Sequence, residues 1–188
     1  MTIDEIKIKL EKTLSKKRFK HSIGVMETAI ELALINDVDT DKAAVSGLLH
    51  DCAREIKGAE AIKACEKYGI DIDDVSRVQP SLLHGPLGAE IAKEEYGIED
   101  PCVLRAIKYH TTGRADMDML EKIIFIADYI EPGRSFQGVE EARKEAFKNI
   151  DSVMLMALDQ TIAHIISKKG LIHGDAIDAR NYILMNNI

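Results

Sequence analysis

The chain has 188 residues, of which 46% are hydrophobic and 5% aromatic. That length allows one substantial core and fits a single domain. The net charge of −7 disfavours non-specific binding to nucleic acid, and no apolar run approaches the ~20 residues that span a bilayer. Since no basic leader precedes an apolar segment, we expect a soluble cytoplasmic protein with no nucleic-acid or membrane partner.

Two features of the composition narrow the fold class. The sequence contains four prolines and few β-branched runs, which favours an all-α fold. Cys52, Cys65 and Cys102 are odd in number and lack CxxC spacing. Structural disulfides are therefore not expected, in keeping with a reducing compartment.

Helical patterns begin at the N-terminus. Thr2 and Glu5 have the spacing of a capping box and precede a first helix of about four turns. The basic run 16–20 is interpreted as the end of that helix, where cations complement the helix dipole. A second helix is predicted to begin at His21.

A third helix, capped by Asp39 or Thr40, is predicted to end near the adjacent pair His50 and Asp51. Imidazole and carboxylate are both good ligands for borderline divalent metals. Neighbouring side chains on a helix point about 100° apart, so this pair needs other elements to enclose an ion. The alternative is a packed core histidine followed by a capping aspartate.

Two later helices carry further histidines at their ends. After a short helix over 58–68 that ends at Gly69, His84 lies at a helix start, with Pro86 in the first turn. His110 lies at the end of the next helix. At helix ends, side chains and free backbone groups can converge on a ligand.

The segment from Met119 to Ile130 is apolar all round and is therefore predicted to be a buried helix. Asp128 lies near its end. Because an unpaired buried carboxylate is costly, Asp128 requires a metal, a cation or hydrogen-bond donors; a salt bridge to a nearby arginine is the alternative to a metal. Arg134 follows a Pro-Gly turn, where it is available to phosphate or to solvent.

The remainder of the chain is predicted to form two helices between 139 and 169, a loop over 170–175, and a last helix capped by Asp175. His164 is interpreted as a core or surface histidine, not as a ligand. We expect one domain over 1–188, with a core at about 18–135 and C-terminal helices over 138–188 packing on it.

The order of these residues resembles the HD-domain superfamily of metal-dependent phosphohydrolases. More closely, several stretches resemble the YqeK-type family of bacterial symmetrical diadenosine tetraphosphate hydrolases, from about Lys17 to the C-terminus. One departure is Gly174, where that family is expected to carry proline. The stretches are 18–22, 47–51, 83–86, 109–114, 125–134, 171–173 and 179–182.

The resemblance implies an all-α HD-domain helical bundle that binds a divalent metal, namely iron, with manganese or cobalt as substitutes. Its ligands would be His21, His50, Asp51 and Asp128. His84 and His110 would either hold a second metal, with Asp51 bridging, or contact phosphate directly. Asp51, His84 and His110 are thereby the expected catalytic residues.

The resemblance also implies a substrate-binding set around the metal. Positive groups must offset the polyphosphate charge because the protein as a whole is acidic, and Arg18 and Arg134 are the candidates. The remaining candidates for nucleotide or phosphate contact are Thr111, Gly170, Ile172, His173 and Asp175.

The expected activity is cleavage of diadenosine tetraphosphate in the middle, giving two ADP by attack of a metal-bound hydroxide. A metal lowers the pKa of bound water from about 15.7 towards 7. The expected partner is a small nucleotide, and a homodimer is an open option. The alternatives are another HD phosphohydrolase (a deoxynucleotidase or cyclic-dinucleotide phosphodiesterase) and a non-catalytic nucleotide-binding module.

Overall fold

The structure is a computed structural model that describes residues 1–186, so the last two residues of the predicted segment 138–188 lie outside it. The described residues form helices and no β-strand, which confirms the all-α class. A 3₁₀ helix spans Pro80–Leu83. The α-helices are α1 (Ile3–Thr13), α2 (Lys16–Ile35), α3 (Thr40–Leu49), α4 (Gly58–Tyr68), α5 (Asp74–Val78), α6 (His84–Tyr96), α7 (Pro101–Tyr109), α8 (Met119–Ile130), α9 (Val139–Ala146), α10 (Ile150–Ser167) and α11 (Gly174–Asn186).

Side-chain caps determine where several helices begin and end. Thr2 and Glu5 form the predicted capping box of α1. Asp39 caps α3 by accepting hydrogen bonds from two backbone amides of its first turn. Gly69 ends α4 in the left-handed conformation, with φ 68°. These contacts satisfy backbone groups that a helix end leaves unpaired.

The predicted start of α2 at His21 is wrong, because the basic run 16–20 forms the first turns of α2 and does not end α1. Leu14 and Ser15 are extended and separate the two helices. Cations at a helix N-terminus are unfavourable by about 0.3–1 kcal/mol, but Arg18 gains an ion pair with Asp51, Nη1 to Oδ2 2.9 Å. A tertiary contact here offsets the local preference.

The predicted cap of α11 is also corrected. The helix begins at Gly174, so Asp175 lies inside its first turn. Nδ1 of His173 accepts a hydrogen bond from the Asp175 amide at 3.2 Å and so takes the place of the predicted carboxylate. Gly174 occupies the first helical position, where proline also fits.

Helices α2, α3, α7 and α8 pack against one another at the centre, with α6 on α7 and α10 on α8. Two glycines allow close backbone contact between them. A Cβ on Gly47 of α3 would lie 2.8 Å from Met26 Cα of α2, and one on Gly85 of α6 would lie 2.4 Å from the Lys108 carbonyl oxygen of α7. Each contact lies beside a histidine that the sequence singled out.

Among the described residues, no helix combines the length and apolar character needed to cross a membrane.

Candidate metal centre

The predicted histidines and aspartates converge at one place, where the ends of α3, α6, α7 and α8 meet the first half of α2. Each of three overlapping sets offers ligand atoms that all lie within 4.8 Å of one another. The sets are His21, His50 and Asp51; His50, His110 and Asp128; and Asp51, His84 and His110.

One half of this cluster joins His21, His50, Asp51 and Asp128. His21 Nε2 lies 2.9 Å from Asp128 Oδ1 and 3.2 Å from His50 Nε2. Asp51 Oδ2 lies 4.0 Å from His21 Nε2 and 3.8 Å from His50 Nε2. Four donor atoms, from α2, from α8 and from the two residues that follow α3, thus lie close together.

The other half joins His84 and His110 to the same aspartate. Asp51 Oδ1 lies 3.2 Å from His84 Nε2 and 3.8 Å from His110 Nε2, and the two nitrogens are 3.0 Å apart. Thr111 Oγ1 lies 3.1 Å from each of them. Asp51 therefore presents one carboxylate oxygen to each pair of histidines, as a bridging ligand would.

The hydrogen bonds of the rings show that the residues present fit a metal. His50 donates its Nδ1 hydrogen to the Gly47 carbonyl and His110 to the Ile107 carbonyl, both at 2.7 Å. A neutral imidazole with its proton on Nδ1 has its lone pair on Nε2, and both Nε2 atoms face the cluster. Lone pairs that face each other repel, a cation between them relieves that repulsion, and imidazole with carboxylate is a suitable donor set for a divalent transition metal.

The protonation equilibria favour the same state. Burial lowers the pKa of His50, and burial together with neighbouring imidazoles lowers the pKa of His110 to about 3. Burial opposes ionisation of Asp51 and Asp128, but the surrounding imidazoles hold the pKa of each carboxyl well below its usual range. At neutral pH these shifts favour neutral imidazoles at His50 and His110 and ionised carboxylates at Asp51 and Asp128, the ligand forms that metals require. Burial opposes the charged form of His21, but its hydrogen bonds to the Asp128 and Glu131 carboxylates raise its pKa.

Glu131 is a site residue that the sequence analysis did not single out. Its carboxylate accepts the Nδ1 hydrogen of His21 at 3.0 Å, and its side chain is 7% exposed. A Cβ on Gly24 or Gly133 would lie within 3.0 Å of the Glu131 carboxylate, so two glycines make room for it. A carboxylate behind a ligating histidine fixes the ring and raises its basicity.

The two predicted arginines contact the carboxylates of the cluster. Arg18 pairs with Asp51 as described above. Arg134 donates to Asp128 through Nη2, and its Nε donates to the Asp128 backbone carbonyl at 2.7 Å. The salt bridge that was the alternative for Asp128 therefore exists, on an aspartate that also contacts His21. Arg54 was not singled out, although its Nη1 lies 2.9 Å from His84 Nδ1.

Several cavities open around the cluster: one of about 680 Å³ is lined by His21 and Glu131, and one of about 330 Å³ by His84 and Arg54. Two more share a lining residue and differ in size. The larger has a volume of about 1010 Å³ and is lined by His110 and Asp128 as well as Arg134. The smaller, of about 380 Å³, is lined by His173 and Asp175. Thr111 lines both cavities.

The predicted nucleotide loop 170–175 borders the smaller cavity through His173 and Asp175. His173 Nε2 donates to Asp73 Oδ2 at 3.1 Å, and the Leu171 carbonyl accepts from Gln79 Nε2 at 3.4 Å. Gly170 packs against Ile165, and Ile172 is half-buried. The structure thus brings His173 and Asp175 to a cavity that Thr111 also lines, whereas Gly170 and Ile172 do not line it.

Comparisons with known proteins identify the family of this chain. The family model described as HD domain matches residues 18–133. Over 172 residues the chain is 40% identical to a "Bis(5'-nucleosyl)-tetraphosphatase, symmetrical" of Halalkalibacterium halodurans, covering 92% of this chain and 91% of that one. A protein of the same name from Staphylococcus aureus is 40% identical over 184 residues, covering 97% and 94%.

A solved structure gives the same result. A crystal structure described as a predicted HD superfamily hydrolase involved in NAD metabolism, from Clostridium acetobutylicum, superposes with a TM-score of 0.96 at 47% sequence identity. The match covers 99% of this chain and 98% of that one. The chain therefore belongs to the HD-domain family and, within it, to the family of the symmetrical bis(5'-nucleosyl)-tetraphosphatases.

Proposed function

We propose that this protein is a metal-dependent phosphohydrolase that cleaves diadenosine tetraphosphate symmetrically into two ADP. The observation that carries the proposal is the cluster in which Asp51 presents one oxygen to each of two histidine pairs, beside arginines and several cavities. The substrate is inferred from the names of relatives that are 36–40% identical over more than nine-tenths of the chain.

The cluster residues divide into two sets of roles. We assign His21, His50, Asp51 and Asp128 to a first divalent metal, and His84 and His110 to a second metal or to the substrate phosphate. Iron is the metal we propose, with manganese or cobalt as substitutes, because mixed imidazole and carboxylate donors suit these ions. Such a metal supplies Lewis acidity and an activated water at neutral pH.

The arginines and the loop position the substrate. Arg18 and Arg134 lie against the two carboxylates of the cluster, so a phosphate bound there would meet positive charge despite the acidic protein. We propose that they hold a diphosphate with its terminal phosphorus at the cluster and that Thr111 and the loop 170–175 contact the nucleoside. The length of the diphosphate arm then sets the cut after the second phosphate.

The comparisons do not favour the alternatives, a deoxynucleotidase, a cyclic-dinucleotide phosphodiesterase or a non-catalytic module. We further propose a cytoplasmic bacterial protein with one domain, whose core at about 18–135 agrees with the matched range 18–133.

Product analysis tests the proposed function. We expect the purified, iron- or manganese-loaded protein to convert diadenosine tetraphosphate into ADP alone, resolved by ion-exchange chromatography. Equal amounts of ATP and AMP would contradict the symmetric cut. NAD serves as a comparison substrate, because it also joins two nucleosides but through only two phosphates, and faster cleavage of NAD would move the assignment to another substrate.

Substitution of Arg134 tests its phosphate role. We expect Arg134→Ala to raise KM for diadenosine tetraphosphate about 10- to 100-fold, since a charge-assisted hydrogen bond is worth about 1.5–3 kcal/mol. Steady-state kinetics measures the effect.

The control must be an arginine that does not contact the site. Arg143→Ala is unsuitable, because Arg143 donates hydrogen bonds to the carbonyls of Ile130 and Glu131. Arg180→Ala, which removes an exposed ion pair with Asp159, is the matched control. An unchanged KM with a large fall in melting temperature would restrict Arg134 to the salt bridge with Asp128.

A further inference from the structure

Two of the cavities around the cluster, of about 1010 and 380 Å³, share a single lining residue. Thr111 lines the larger and the smaller cavity, and its Oγ1 contacts the Nε2 atoms of His84 and His110. A ligand that filled both cavities would therefore pass the cluster on the side of His84 and His110. The smaller cavity borders the loop 170–175, which the proposed function already assigns to one nucleoside.

Part of the lining of the larger cavity is aromatic. The rings of Tyr129 and Phe136 pack with centroids 4.8 Å apart and an interplanar angle of 48°. The Tyr129 hydroxyl donates to the side-chain oxygen of Gln160. We call Tyr129, Phe136 and Gln160 the aromatic end of the cavity.

The chemistry of the aromatic end suits a nucleoside better than a phosphate. Aromatic faces stack on nucleobases, and amides form hydrogen bonds with base edges and sugar hydroxyls. Arg134 supplies positive charge to the lining, but it also contacts the cluster aspartate. Glu141 adds a negative charge to the same lining, which disfavours further phosphates there. The volume of about 1010 Å³ leaves room for a nucleoside beyond the part next to the cluster.

We infer that the aromatic end binds the second nucleoside of the dinucleoside tetraphosphate, while the loop 170–175 binds the first. This inference rests on the proposed function and deepens it. A substrate held at both ends places the middle of its phosphate chain at Thr111 and the cluster. The central cut is then determined by the two nucleoside sites, one at each end of the substrate, as well as by the length of one diphosphate.

Kinetics of ring substitutions give the first test. We expect Phe136→Ala to raise KM for diadenosine tetraphosphate about 5- to 150-fold, the equivalent of about 1–3 kcal/mol for one stacked base. The effect on kcat should be smaller, and Phe136→Tyr should recover most of the loss because it keeps the ring. Phe147→Ala is the matched control, since Phe147 is an exposed ring outside this lining, with 44% of its surface exposed. An unchanged KM in Phe136→Ala would overturn the inference.

A fluorescence measurement gives a readout that does not depend on rate. The chain contains no tryptophan, so Phe136→Trp introduces a single reporter. We expect diadenosine tetraphosphate to quench its emission, recorded before a tenth of the substrate is consumed, because adenine stacks on the indole. Inorganic tripolyphosphate should not quench it, and Phe147→Trp should not respond to either compound. Equal quenching by tripolyphosphate would show that phosphate occupies this end and would overturn the inference.

The two tests separate the inference from the proposed function. If the wild-type protein forms no ADP, the proposed function fails. If it forms ADP while the Phe136 variants keep the wild-type KM and show no quenching, the function stands and the second nucleoside lies elsewhere.

Discussion

Asp51→Asn should lower kcat/KM for diadenosine tetraphosphate by about 10³-fold or more, equivalent to about 4 kcal/mol of transition-state stabilisation. The carboxylate faces His21 and His50 with one oxygen and His84 and His110 with the other. Asparagine keeps the shape but loses the negative charge and one of the two oxygen donors. Metal content, measured by mass spectrometry after gel filtration, should fall together with the rate.

The same substitution at Asp100 provides the control. Asp100 caps α7 and pairs with Lys42 at the surface, and asparagine is an equally good N-cap residue. Asp100→Asn should therefore retain both metal and activity. If Asp51→Asn kept full metal content and a near-wild-type rate, the His50-Asp51 pair would be structural, as the alternative interpretation of the sequence holds.

Substitution of Glu131 should weaken the metal centre itself, through its ligand His21. We expect Glu131→Ala to weaken metal binding or lower kcat/KM about 10- to 100-fold, the range typical of residues that orient a ligating histidine. The loss arises because His21 Nδ1 loses its acceptor and the ring is no longer held. Glu131→Gln should be milder, since the amide oxygen still accepts that hydrogen bond. Competition with a fluorescent chelator measures the metal affinity.

Glu95→Gln is the matched control for Glu131, because the Glu95 side chain is 49% exposed and pairs with Lys9 at the surface. Burial of Glu131 means that its replacement also affects stability, so melting temperatures of the metal-free proteins are needed beside the affinities. Equal metal affinity in wild-type and Glu131→Ala protein would limit Glu131 to packing against Gly24 and Gly133.

Most helices could be predicted because their signals are local. Asp39, Gly69 and the pair of Thr2 and Glu5 act through hydrogen bonds within a few residues of themselves or through their own backbone conformation. The predicted start of α2 is wrong because the signal there is not local. Its basic first turns have a partner, Asp51, that lies 33 residues away in the chain.

Some residues of the candidate site could likewise be predicted from the sequence, and others could not. Histidine and aspartate at helix ends are conspicuous by residue type, so the cluster could be proposed before its geometry was known. Glu131 is separated from His21 by 110 residues, and a glutamate after a helix is ordinary in sequence. Arg54 likewise reaches His84 across 30 residues. Residues that act by supporting others become visible only when the crossing of helices is known.

The two glycine contacts control the spacing of the metal ligands, whereas the side chains of the core control the stability of the fold. Gly47 holds α3 against α2 close to His50 and His21, and Gly85 holds α6 against α7 close to His84 and His110, in each case by contact with the backbone of the neighbouring helix. Substitution of a core residue such as Ile123 in α8 by a residue of another size can therefore alter the free energy of unfolding, while the imidazoles keep their separations. A single methyl group at residue 47 or 85 would instead push two helices apart. The distances between the metal ligands would then change, although the protein stays folded.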